Sequence, residues 1–264
     1  EVLRFGMDGA PLSQYLHMLR REVRQYQPDV VVVQLIHNDF DETYRFLRTR
    51  YASSFLKIGV SEAGRPVEIA PVDFMGGGSD VLRNSNTFRY LYYKTGAYLQ
   101  LKNLVSRLWW GGDEEFKPEF ISSAVDIRRI ADHAKNRFFA RYVLGEMKAL
   151  AREDGFRLVF AMDGVREAVY SGKPPESYEV HKLNVIARDL TAELDLPFLD
   201  LQTTFADTYR RDGRRFEFPF DWHWNALGNE LAGKAITKEL LSDRRLLGAR
   251  PAASTAAPVP AGKS

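Results

Sequence analysis

The chain has 264 residues, enough for one large α/β domain or two small ones, and its 45% hydrophobic content is ample for a packed core. Lysine plus arginine number 37 against 35 aspartate plus glutamate, a net charge of +2, so bulk charge gives no argument for a nucleic-acid partner. The absence of cysteine excludes a disulfide framework, a thiolate zinc site and a cysteine nucleophile. No apolar run reaches the roughly 18 residues that a membrane span requires.

The chain opens at Glu1 without a methionine, and residues 2–6 read as a core strand. A domain rarely opens inside its own core, so this start predicts further chain upstream, which would also have carried any signal peptide. Residues 6–11 have the glycine and proline content of a turn, with Pro11 suited to a helix's first position. Leu12, Tyr15, Leu16, Leu19, Val23 and Tyr26 then mark one helical face, ended by Pro28. The β-branched run at 30–36 reads as a strand covered on both faces, as in a parallel sheet. Strand, turn, helix and strand make one βαβ unit. His37, Asn38 and Asp39 follow at the strand's C-terminal end, the edge where open α/β sheets bind ligands.

Residues 41–136 break the pattern and predict an insertion that serves as a lid or substrate-binding element. Within it, 55–58 and 66–69 around Gly64 form a candidate hairpin, and a glycine loop at 76–78 leads into an aromatic-rich helix over 79–110. Aromatics in such a helix are more often core than cofactor or membrane contacts. Regular alternation then returns: helix 136–154, strand 157–162, helix 178–194, strand 197–200 and a small helix 203–209. A loop holding Asp221 and His223 comes next. Leu227, Leu231, Ala235, Ile236 and Leu240 mark a final amphipathic helix, with Asn225 as its N-cap. The α/β domain spans 1–248, and the proline- and alanine-rich tail at 249–264 is expected to be disordered.

A carboxylate and an imidazole two positions apart, at the entry to a helix, suit a general base and the acid that orients it. Asp221 and His223 also have the plain reading of a loop ion pair. Gly9 has the plain reading of a turn glycine at positive φ, and Asn38 that of a residue satisfying backbone groups at a strand end. His37 reads as a packed neighbour of Asn38. Ser79 reads as a helix cap and not a nucleophile, since no strand precedes it. The Arg-rich stretch at 210–215 reads as a solvated turn bordering the site.

Together, and in this order, these blocks resemble the SGNH (GDSL-like) hydrolase superfamily. Gly9, in Phe5-Gly6-Met7-Asp8-Gly9, matches that family's oxyanion glycine block. Asn38, in Ile36-His37-Asn38-Asp39, matches its Gly-x-Asn-Asp block, with Ile36 where the family has glycine. Asp221 and His223, followed by Asn225 and Gly228, match the final block, in the Asp-x-His-Trp form that the superfamily's O-acyl-transfer proteins also use. The family's Gly-Asp-Ser block is absent, and truncation upstream of Glu1 explains this better than natural loss of the serine.

The resemblance implies a flavodoxin-like α/β three-layer sandwich with a mainly parallel sheet and its first strand upstream of this chain. It implies a serine-type ester hydrolase or O-acyltransferase acting on an acyl ester, such as an acetylated carbohydrate, incomplete in this chain without the serine. Catalysis would fall to Asp221 and His223, and the oxyanion hole to Gly9 and Asn38, with no metal and no cofactor. A small-molecule or carbohydrate acyl ester would be the partner, with no nucleic acid. The resemblance is compatible with a periplasmic or secreted location and does not fix one. A non-catalytic binding domain of the same fold is the first alternative. A metal-dependent phosphoesterase, where Asp-x-His would be a ligand pair, is the second.

Overall fold

The computed structural model describes residues 1–7, 9–44, 55–71, 132–218 and 221–242, with only the backbone of 41, 42, 221 and 222. These belong to one unit of the chain, Glu1–Val72 with Phe120–Ser264. The helix expected over 79–110, the loop at 76–78, Ser79 and the tail from 249 lie outside the described residues.

The elements run α1 (Leu12–Arg21), β1 (Val30–Leu35), α2 (Asn38–Glu42), β2 (Lys57–Val60) and β3 (Pro66–Ile69). They continue with α3 (His133–Asp154), β4 (Arg157–Met162), α4 (Arg166–Ser171), α5 (His181–Glu193), β5 (Phe198–Asp200) and α6 (Gln202–Asp212). The hairpin β6 (Glu217–Phe218) and β7 (Asp221–Trp224) and the helix α7 (Ala226–Ser242) close the described chain. The result is mixed α/β with a three-stranded parallel sheet in the order β1-β4-β5.

Local chemistry accounts for several of these boundaries. Asp132 caps α3 by accepting from the Lys135 N–H at 3.0 Å, and Gly155 ends it in the left-handed region at φ 71°. Asn225 caps α7 as expected: its Oδ1 accepts from the Gly228 N–H at 3.1 Å. The expected hairpin forms, with Lys57 opposite Ile69 and Val60 opposite Pro66. Arg20 Nη1 donating to both carboxylate oxygens of Glu68, with Tyr142 also donating to Glu68, ties it to α1 and α3.

The central strand is β4, not β1. Five of the six β4 residues are buried, and Leu158, Phe160 and Met162 pack into one core with Leu12, Leu16, Phe139, Val143, Met147 and Leu183. A second core gathers Val169, Leu201, Phe205, Phe216, Trp224 and Ala232. In β5, Phe198 packs on the first core and Leu199 on the second, as alternating strand residues must.

Four expectations need correction. Residues 2–6 form no strand: Glu1–Met7 is irregular and Val2 is 88% exposed. A strand needs a ladder partner, and among the described residues this segment has none. The valine run is not covered on both faces: Val33 and Leu35 are buried, whereas Val32 on the opposite face is left 37% exposed. The first helix stops at Arg21, and a 3-10 turn at Val23–Tyr26 follows it. Finally, Asp221 and His223 stand in a strand and not in a loop, because β7 pairs antiparallel with β6, a strand too short for its residue pattern to register.

Candidate functional site

Three parallel strands deliver their C-terminal ends to one edge, and each carries a polar side chain at or within two or three residues of its end. After β1 come His37 and Asn38, after β4 comes Asp163, and β5 ends on Asp200. The register fixes this coincidence, since Leu35 pairs with Met162 and Met162 with Asp200, and the Asp163 N–H donates to Leu35 O at 3.0 Å.

Asn38 opens α2 and is half-buried. Its position is set by the next residue. The buried Asp39 accepts from the Ile36 N–H at 2.7 Å through Oδ2 and from the Tyr15 hydroxyl at 3.2 Å through Oδ1. The Asp39 N–H in turn donates to Ile36 O at 3.1 Å, closing a tight turn around His37 and Asn38.

His37 is wholly buried, with Nε2 2.8 Å from Asn184 Oδ1. The amide of Asn184 is oriented by its other end, where Nδ2 donates to Asp163 O at 2.9 Å and lies 3.4 Å from both Asp200 carboxylate oxygens. Oδ1 is therefore the atom facing His37 and must accept, so Nε2 carries the proton. Nδ1 is left as a buried lone pair with no hydrogen-bond partner among the described residues. Burial lowers the His37 pKa below the ordinary histidine value, against the opposing influence of Asp163 and Asn184. The ring is held neutral.

Asp163 gathers the rest of the edge. Its carboxylate accepts from the Gly164 N–H at 2.8 Å, the Trp224 indole N–H at 3.2 Å and Arg166 at 3.1 Å. The Asp163 and Arg166 side chains are 1% and 5% exposed, a buried charge pair.

Trp224 is the last residue of β7, so its bond to Asp163 pins the strand carrying His223 against the end of β4. Trp224 is buried and His223 exposed, on opposite faces of the strand. Below them the chain makes a close approach. A Cβ on Gly228 would stand 2.6 Å from Phe216 O and 2.9 Å from the Trp224 Cβ, so only glycine fits. The Asn225 N–H donates to the same Phe216 O at 2.7 Å, and its side chain donates to Arg215 O and Glu217 O. Asn225 and Gly228 thus seat the His223 strand on the following helix.

Of the expected site residues, Asn38 stands at this sheet edge, and the strand of His223 reaches it through Trp224, with the His223 side chain on the opposite face of that strand. Gly9 lies in a turn leading into α1, with φ at +65°, the ordinary reason for a glycine. Its link to the edge is indirect: α1 meets α2 through the Ser13 N–H to Thr43 Oγ1 at 3.3 Å and through Tyr15 to Asp39. The Asp221 side chain is outside the described atoms. The arginines at 210, 211, 214 and 215 pair with Asp207, Asp212 and Glu217, and the stretch expected as a turn is solvated but its first half, Arg210–Asp212, is the end of α6. Among the described residues no three His, Asp or Glu side chains come together as a metal site.

Sequence reasoning missed Asp163, Arg166, Asn184 and Asp200. Asp163 had a signal of the kind that singled out Asn38, an Asp-Gly pair directly after an expected parallel strand. No protein-family model, no curated protein and no solved structure matches this chain.

Proposed function

We propose that the protein is an acyl-ester-processing enzyme of SGNH type, a hydrolase or O-acyltransferase on a flavodoxin-like scaffold. One observation carries the reading: blocks remote in sequence, one with Asn38 and one with His223, are held at the same C-terminal edge of a parallel sheet through Trp224 and Asp163. Enzymes of the α/β class use this edge for catalysis.

In this scheme a serine hydroxyl supplied by the Gly-Asp-Ser block is the nucleophile. His223 takes its proton as the oxygen attacks the acyl carbonyl carbon, and Asp221 stabilises the resulting imidazolium. The Asn38 amide and the Gly9 N–H donate to the oxyanion. When the tetrahedral species collapses, the C–O bond to the alcohol breaks and His223 returns the proton to the leaving oxygen. Water or an acceptor alcohol then attacks the acyl-enzyme, giving hydrolysis or transfer.

The test is p-nitrophenyl acetate turnover by the full-length protein, followed by acetylated oligosaccharides. Ester cleavage that His223→Ala abolishes is the expected result, with Asn38→Ala slower by about 100- to 1000-fold. A full-length wild-type protein that folds, binds acetylated oligosaccharide and cleaves no ester would replace the enzyme by a binding domain.

A further inference from the structure

We infer that Asp163 is a positioning residue that holds both halves of the proposed site at once. Its carboxylate takes the Trp224 indole N–H and so places the strand bearing His223. Its backbone carbonyl takes the Asn184 amide, whose Oδ1 takes the His37 Nε2–H, and so places the turn bearing Asn38. One residue therefore sets the separation between the strand that carries the proposed general base and the turn that carries the proposed oxyanion donor.

The arrangement suits that role. Asp163 follows the central strand of the sheet, whose own position is set on both sides by β1 and β5. Gly164, Arg166 and Trp224 supply donors to the carboxylate, so its rotamer is determined by its neighbours. Both routes outward run through side chains with little freedom: Asn184 is anchored at both ends, and Trp224 is packed edge-on against Phe205 at 5.4 Å. Among the described residues the Asp163 carboxylate touches none of the proposed reacting groups, so Asp163 acts through Trp224 by its side chain and through Asn184 by its backbone carbonyl.

The kinetic part of this inference rests on the acyl-ester reading, whereas the structural part does not, and the experiment separates them. Hydrogen exchange is followed in the full-length protein at two backbone amides: Asn225, bonded to Phe216 O, and Asp39, bonded to Ile36 O. Trp224→Phe should speed exchange at Asn225 by about tenfold with little change at Asp39, and Asn184→Leu should do the reverse. Asp163→Ala, which removes the acceptor for Trp224 but keeps the backbone carbonyl for Asn184, should speed exchange at Asn225 with little change at Asp39, and Asp163→Asn, which restores an acceptor for Trp224, should restore most of the protection.

Kinetically, each loosening variant should lower kcat by about tenfold or more with KM unchanged, as misplaced catalytic groups do. Should Asp163→Ala fail to fold, the Trp224 and Asn184 variants decide the matter. Exchange that rises equally at both amides in either single-arm variant, or Asp163→Asn no better protected than Asp163→Ala, would overturn the positioning role. Arm-specific exchange in a wild-type protein that cleaves no ester would uphold it while sinking the acyl-ester reading.

Discussion

Two arginine–carboxylate clusters hold this fold, at opposite depths. At the sheet's C-terminal edge, Arg166 and Asp163 are almost fully excluded from water. On α1, Arg20 bridges Glu68 and Glu146, each at 2.7 Å, with a quarter or more of every side chain exposed. The exposed cluster has the better geometry and the smaller consequence, because water and salt screen it and would receive any charge left behind. The buried pair has little water to stand in for a lost partner, so removing one charge is costly to the other. Depth, not distance, decides which cluster the fold depends on.

The largest expected effect breaks the buried pair. Asp163→Ala should cost about 3–5 kcal/mol in urea unfolding, since it removes a buried carboxylate that Gly164, Trp224 and Arg166 all donate to. A loss below about 1 kcal/mol would show that burial adds little to the weight of this pair, and the contrast between the clusters would go with it.

The next effect tests how closely the buried edge is built. Gly228→Ala forces a methyl against Phe216 O, a backbone atom that cannot swing aside, and should cost about 1–3 kcal/mol. Calorimetric melting would measure it. An unchanged Tm would mean that the β7–α7 junction is loosely seated.

A third effect is pH dependence. Because burial lowers the His37 pKa in the folded state, the unfolded chain binds the proton first on acidification. Stability is therefore complete above the unfolded value near 6.5 and falls below it, by at most about 1.4 kcal/mol per pH unit. His17 is lowered too, so the diagnostic is the difference between wild type and His37→Gln across pH 7 to 5. Parallel stability curves would remove His37 as the source.

The smallest effect belongs to the exposed cluster. Arg20→Met should cost about 1 kcal/mol or less, and less still in high salt. A larger, salt-insensitive loss would place the Arg20 cluster with the buried one.

Legibility in the sequence followed the range of the forces involved. The strand at Arg157–Met162 was visible because an apolar run bounded by polar residues has few other meanings, and the helices ending at Asp154 and Glu193 were visible from their periodicity. The Asn225 cap was visible because capping acts over three residues. The strand nature of Asp221–Trp224 was not, since it depends on a two-residue partner, β6. The irregularity of Glu1–Met7 was not, since strand-like composition makes no ladder alone. In the candidate site, Asn38 and His223 were singled out from short motifs, while Asp163, Asn184 and Arg166 were passed over because their meaning lies in contacts with residues far along the chain.

The sequence by itself determined most of the helices, the parallel strands near 30–35 and 157–162, and the place of Asn38 at a strand end. These are decided by side-chain periodicity and by backbone groups a few positions apart. The tertiary structure alone decided which strand is central, which charges are buried, and that Trp224 and Asn184 meet at Asp163. Those facts arise when remote segments exclude water together, and exclusion of water is a property of the assembled packing that no local stretch of chain contains.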